Sequence, residues 1–203
     1  MSESGLHQRA LALSYVTIAY NVIECALSLI AGILASSIAL VGFGLDSLIE
    51  SLSAGIMVWR FRRRGPISGE DEERIERKAE RLVGYTFLIL AAYVLYESID
   101  KLVRREIAEP SLLGIFIALA SIITMPILYY AKSRTGKALN SKSLIADSRE
   151  TLACAFLSVA LLLGLGANHL FGFWQADSLV GFVIVVFLAR EGLEIVRGEH
   201  GEA

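Results

Sequence analysis

Apolar residues in this chain gather into long runs rather than alternating with polar ones, and short charged blocks separate the runs. A helix of about 20 apolar residues crosses the hydrocarbon core of a bilayer. Six such spans fit, at about residues 9–34, 37–59, 82–103, 111–131, 143–167 and 178–195. The predicted fold class is an all-α integral membrane protein, with six transmembrane helices in a single transmembrane domain. Ala35-Ser36-Ser37 reads as a tight turn between the first two spans. Arg74 to Arg81 reads as a charged helical lead-in to the third. Pro110 suits the start of the fourth span, Pro126 predicts a kink within it, and Lys132 to Lys142 reads as a basic loop.

Charge adds an orientation. One side of the predicted membrane carries Arg60, Arg62, Arg63, Arg64, Arg74, Arg77, Lys78, Arg81, Lys132, Arg134, Lys137 and Lys142, whereas the other has only Lys101, Arg104 and Arg105. The positive-inside rule then puts both termini in the cytosol; the plasma or inner membrane is the expected location. Glu3 comes early and no small-residue cleavage site follows the first apolar run, which therefore reads as a retained span and not a signal peptide. Composition is 55% hydrophobic with a formal net charge of -2, so no nucleic-acid partner is expected. Cys25 and Cys154 lie inside apolar runs and form no disulfide framework. No HExxH pair, Ser-His arrangement or Gly-rich phosphate loop occurs, so the chain is expected to be no enzyme and to need no prosthetic group.

The informative residues are the acids inside the apolar spans. Asp46 and Glu50 stand four apart in the second span, on one helical face. In the fifth, Asp147, Glu150 and Cys154 fall at i, i+3 and i+7, again on one face. An ionisable group at the centre of a membrane helix costs at least ~2.5–3.5 kcal/mol, so such groups need interior partners. Two helices turning these faces inward would build a buried, oxygen-rich cation site with one sulfur, and Glu24 and Asn21 of the first span could complete its shell. A plainer reading pairs Asp46 and Glu50 with Arg149, the basic residue well inside a span near them. It makes Cys154 a small buried apolar residue and gives Glu24 a hydrogen bond to a neighbouring helix. His7, His169 and His200 lie in a terminus, a loop and a tail, and none is expected to be a ligand.

The phrases SSIALVGFGLDSLIESLSAG and LNSKSLIADSRETLACAFLSVALLLG resemble the second and fifth spans of the cation diffusion facilitators, six-span exporters of zinc and related divalent metals. The resemblance implies a transport site on those two spans, with Asp46 and Glu50 at the second-span ligand positions. In the fifth span the family usually shows Asp, then His, then Asp, where this chain has Asp147, Glu150 and Cys154. It also implies a homodimer in the lipid bilayer, and a small branch of the family without its usual cytosolic C-terminal domain. Zinc is the expected cargo, with manganese, iron, cobalt and cadmium open. The expected mechanism is proton-coupled export by alternating access, because metal binding displaces protons from buried acids and protonation displaces metal. Gly42, Gly44 and Gly55 would ease the helix movements. The alternative is a membrane metal sensor or buffer that does not transport.

Overall fold

The computed structural model describes the backbone of residues 3–62 and 69–197. Six helices follow one another: α1 (Glu3–Leu34), α2 (Ile38–Arg62), α3 (Gly69–Arg104), α4 (Leu112–Leu139), α5 (Lys142–Phe171) and α6 (Gln175–Arg197). The basic residues Arg63 and Arg64 and the tail residue His200 lie outside the described residues, as do the side chains of Arg74, Arg77, Lys78 and Lys142. Four helices, α1, α2, α4 and α5, are long and apolar enough to cross a membrane. The other two bring charges close to their apolar stretches: Glu97, Asp100 and Lys101 in α3, and Arg190, Glu191 and Glu194 in α6.

Several element ends differ from the sequence expectation, each for a local reason. The charged lead-in is continuous with α3, which begins at Gly69. The segment read as a basic loop is mostly helix, because α4 runs unbroken through Pro126 to Leu139. Lys, Arg, Ala and Leu in that segment are good helix formers, and an amphipathic helix can leave the membrane without ending. It ends where Asn140 turns left-handed, with φ 51°, and its N–H reaches the carbonyls of Gly136 and Lys137. Ser141 then caps α5 by accepting the Leu144 N–H at 3.4 Å. Pro110 precedes the cap residue of α4, Ser111, and so lies outside the helix instead of at its first position. The connection left between the fifth span, ending near 167, and the sixth, starting near 178, contracts as well, since α5 continues to Phe171 before Gly172, at φ 63°, turns the chain into α6.

The helices pack as three intimate pairs, α1 with α2, α4 with α5, and α3 with α6. Helix α2 lies at the centre, touching α1, α3, α5 and α6. Its start is tied to α6 by one side chain. Asp177 accepts the Ile38 N–H at 2.8 Å and the Ser37 hydroxyl at 2.5 Å, while Ser37 accepts the Leu40 N–H at 3.1 Å. A carboxylate at a helix N-terminus also complements the helix dipole. Helix α1 shows the inverted polarity of a membrane protein. Ser14, Thr17, Asn21, Glu24 and Ser28 recur at helical spacing and are buried, whereas Val16, Ile23 and Ile30 on the same helix are about half exposed or more (53%, 61% and 52%).

Small residues let α3 and α6 approach closely. A side chain at Gly192 would begin 2.9 Å from the Gly84 carbonyl oxygen, and one at Gly84 would begin 3.1 Å from that of Gly192. Gly44 similarly brings α2 against Ser28 and Cys25 of α1, but a side chain at Gly55 would meet nothing within 4 Å. Gly192→Leu is therefore expected to cost roughly 1–3 kcal/mol, read as a lower thermal midpoint in detergent. Gly55→Ala should leave that midpoint unchanged or slightly higher, because alanine is the better helix former.

Candidate cation site between the second and fifth helices

Asp46 and Glu50 lie one turn apart on the inner face of the central helix, each only 4% exposed. Helix α5 runs antiparallel to α2 at this level and presents Asp147, Thr151 and Cys154, all buried. The Thr151 hydroxyl donates to Glu50 Oε1 at 2.6 Å, which fixes the register of the two helices. One turn further along α5, Cys154 faces both Asp46 and Glu50. The two acidic faces expected from the spacing thus meet inside the bundle.

The six candidate residues do not converge on one point. Asp46, Glu50 and Cys154 face each other at the α2–α5 seam. Glu24 belongs to an adjoining α1–α2 contact, where it accepts from the Tyr20 hydroxyl at 3.1 Å and the Ser47 hydroxyl at 2.9 Å. That is the interhelical hydrogen bond of the plainer reading. Glu150 is half-buried at the flank, towards Ser53 of α2. Asp147 has a different partner altogether. Among the described residues, no three His, Cys, Asp or Glu side chains close around a common point tightly enough to hold a metal ion.

The partner of Asp147 is Lys132, which lies on α4 and not in the basic loop expected there. Its side chain is fully buried, its Nζ lies 2.9 Å from Asp147 Oδ2 and 3.8 Å from Glu50 Oε1, and it donates to Thr151 Oγ1 at 2.8 Å. Arg149, the basic residue expected to pair with Asp46 and Glu50, is instead exposed on the outer face of α5. A signal for Lys132 was available. Ser121, Met125, Leu128, Lys132 and Thr135 recur at helical spacing and share the buried face of α4. Reading the basic residues as the end of the span hid that register.

Several polar atoms in this interior have no hydrogen-bond partner: both amide atoms of Asn21, Glu50 Oε2, Asp147 Oδ1, Glu150 Oε2 and Ser121 Oγ. Buried polar atoms are ordinarily satisfied, and an orphaned carboxylate oxygen is the most costly kind to leave alone. These oxygens suit a cation. Asp46, Glu50 and Glu150 offer hard donors, while Cys154 is the one soft donor among the candidates. His169 is exposed near the end of α5, and His7 packs its ring edge-on against Phe61 at 5.9 Å between centroids, so neither belongs to this group.

A family model described as the cation efflux transmembrane domain matches residues 14–199. Transmembrane protein 163 of Xenopus laevis is 24% identical over 190 residues, covering 93% of this chain and 66% of its own length. The magnetosome protein MamB of Magnetospira sp. (strain QH-2) is 28% identical over 170 residues, covering 81% of this chain and 57% of its own length. The manganese efflux system protein MneS of Bacillus subtilis (strain 168) is 23% identical over 186 residues, with coverages of 90% and 64%. The chain thus spans about two thirds or less of the length of these relatives.

The buried ion pair yields a stability prediction. Lys132→Ala leaves Asp147 and Glu50 without their cation and should cost about 3–5 kcal/mol. Combining Lys132→Met with Asp147→Leu removes that pair as a unit and should recover the part of the loss that comes from Asp147, leaving the smaller part from Glu50. Thermal unfolding in detergent, compared across the single and double variants, measures both.

Proposed function

The chain belongs to the cation efflux family, and from that footing we propose that it carries divalent metal cations across a bilayer through a site centred on Asp46 and Glu50. The observation that carries this reading is the placement of the two acids. They sit on the central helix, 4% exposed, facing Cys154, and Glu50 retains an unpartnered oxygen. Carboxylates are a costly way to hold helices together, since apolar side chains of equal volume would pack there without desolvating charge. A travelling cation needs them, because it must exchange its water shell for protein oxygens at the middle of the membrane.

The cargo is a first-row divalent ion. Zinc accords with the Cys154 sulfur, and manganese accords with the carboxylate oxygens and with the named efflux activity of one relative. Protons are the counter-ion: carboxylic acids that release protons to bind metal, and release metal when protonated, couple the two gradients without further machinery. All six helices cross the membrane with both termini in the cytosol, a topology that the distribution of basic residues supports. Alternating access is a tilt of α1, α2, α4 and α5, which surround the site, against the α3–α6 pair, whose two helices pack intimately on each other. The protein is a carrier and not an enzyme, and it works as a homodimer.

One observation favours a second reading, a membrane sensor or buffer. Lys132 stands against Glu50 and Asp147, and no three acidic, thiol or imidazole groups among the described residues close on a single point. Flux decides between the two. In sealed proteoliposomes with an imposed pH gradient, uptake of zinc or manganese should depend on the gradient. Asp46→Ala should reduce it to the level of empty vesicles while the protein still inserts and elutes as the wild type does. Tight metal binding without flux for either ion would identify a sensor, and flux undiminished in Asp46→Ala would remove these carboxylates from the pathway.

A further inference from the structure

Lys132 is not needed to explain transport, yet it is the group closest to the acids that transport would use. A lysine ammonium is a compact charge with three donors on a flexible four-carbon stem. Here its three neighbours are all oxygens: Asp147 Oδ2 at 2.9 Å, Thr151 Oγ1 at 2.8 Å and Glu50 Oε1 at 3.8 Å. That surrounding is the one a small hard cation would choose. The ammonium is wholly buried and arrives from α4, a helix that contributes no carboxylate to the cluster. We propose that Lys132 is a tethered cation of the transport site, which stands in for cargo at Glu50 and Asp147 and must yield as the divalent ion binds.

Two features of the geometry support this over a plain structural pair. First, Lys132 matches only part of the acidic face. Its contacts account for Glu50 Oε1 and Asp147 Oδ2, and leave Glu50 Oε2 and Asp147 Oδ1 buried without hydrogen bonds. A pair serving only to pin α4 to α5 would not require Glu50, and the intimate packing of those helices, with Gly136 against Ile145, already holds them together. Second, the same threonine serves both charges. Thr151 accepts from Lys132 and donates to Glu50, so the carboxylate's position depends on the ammonium's. A divalent ion held by Glu50 and Asp46 would lie a few ångströms from Nζ and repel it strongly in this interior. The lysine therefore lowers the affinity of the site, balances its acids when no metal is bound, and speeds release by returning. Asp147 becomes the seat of the tethered charge rather than a ligand of the cargo.

This inference rests on the reading of Asp46 and Glu50 as the transport site, and the test separates the two. Manganese(II) binding is titrated into purified protein in detergent for the wild type, Asp46→Asn, Lys132→Gln and Lys132→Arg. Lys132→Gln keeps a donor for Asp147 and Thr151 but removes the charge. It should bind manganese at least roughly tenfold more tightly than the wild type and release it more slowly, while Lys132→Arg should stay near the wild-type affinity. Unchanged or weaker binding by a folded Lys132→Gln protein overturns the proposal. Binding that is equally strong in Asp46→Asn overturns the site reading itself. A second measurement needs no variant: the wild-type protein is treated with an amine-reactive reagent, with and without saturating manganese, and modification of Lys132 is read by mass spectrometry. Metal should expose the displaced amine. Protection that is the same in both conditions overturns the proposal.

Discussion

The structure turns on the cost of carrying charge into an apolar interior. Asp46, Glu50, Asp147 and Lys132 are buried in a bundle whose outer surface is apolar, where water cannot screen them. For Glu50, Asp147 and Lys132 the counterparts come from other helices. Lys132 of α4 reaches Asp147 and Thr151 of α5, and Thr151 reaches Glu50 of α2. Three helices are thereby held in register by one polar chain. The register in turn fixes which residues of α1 and α6 can pack behind them.

Helix α2 is anchored at both ends and polar in the middle. At its start Asp177 of α6 caps it, and at its end the Arg60 guanidinium donates to the Ser143 hydroxyl of α5 at 2.6 Å. Between those anchors stand Asp46 and Glu50. The anchors are one or two hydrogen bonds, each bond worth on the order of 1 kcal/mol. Contacts of that size hold an arrangement yet can be exchanged for others of similar strength. The close glycine contact between α3 and α6 is of another kind, since backbone against backbone leaves no side chain to rearrange.

Helix α1 illustrates how burial is inverted here. Its polar residues at 14, 17, 21, 24 and 28 form the inner stripe, and Tyr20 and Ser47 satisfy Glu24 within it. In water such a helix would turn the other way. In lipid the apolar face has nothing to gain from association, so packing and polar contacts decide which side points inward. The same rule explains why the acids of α2 and α5 face each other.

The chain's pattern by itself determined the number and order of the helices, the burial of the Asp46–Glu50 and Asp147–Cys154 faces, and the family. Each depends on local periodicity and on the bilayer's length scale, which a linear sequence records directly. Helix ends were less legible, because Lys132 to Leu139 is charged in composition but helical in propensity, and composition was the wrong guide. Tertiary structure alone decided which charge meets which acid. Arg149 and Lys132 are both basic and both near the fifth helix in sequence, yet only Lys132 falls on the inward register of its helix and across from Asp147. The same holds for Glu24, whose bonds to Tyr20 and Ser47 set it apart from Asp46 and Glu50 although all three are acids in adjoining helices. Pairing between helices depends on their rotation and axial offset, which are set by packing summed over the whole bundle. No stretch of sequence contains that sum.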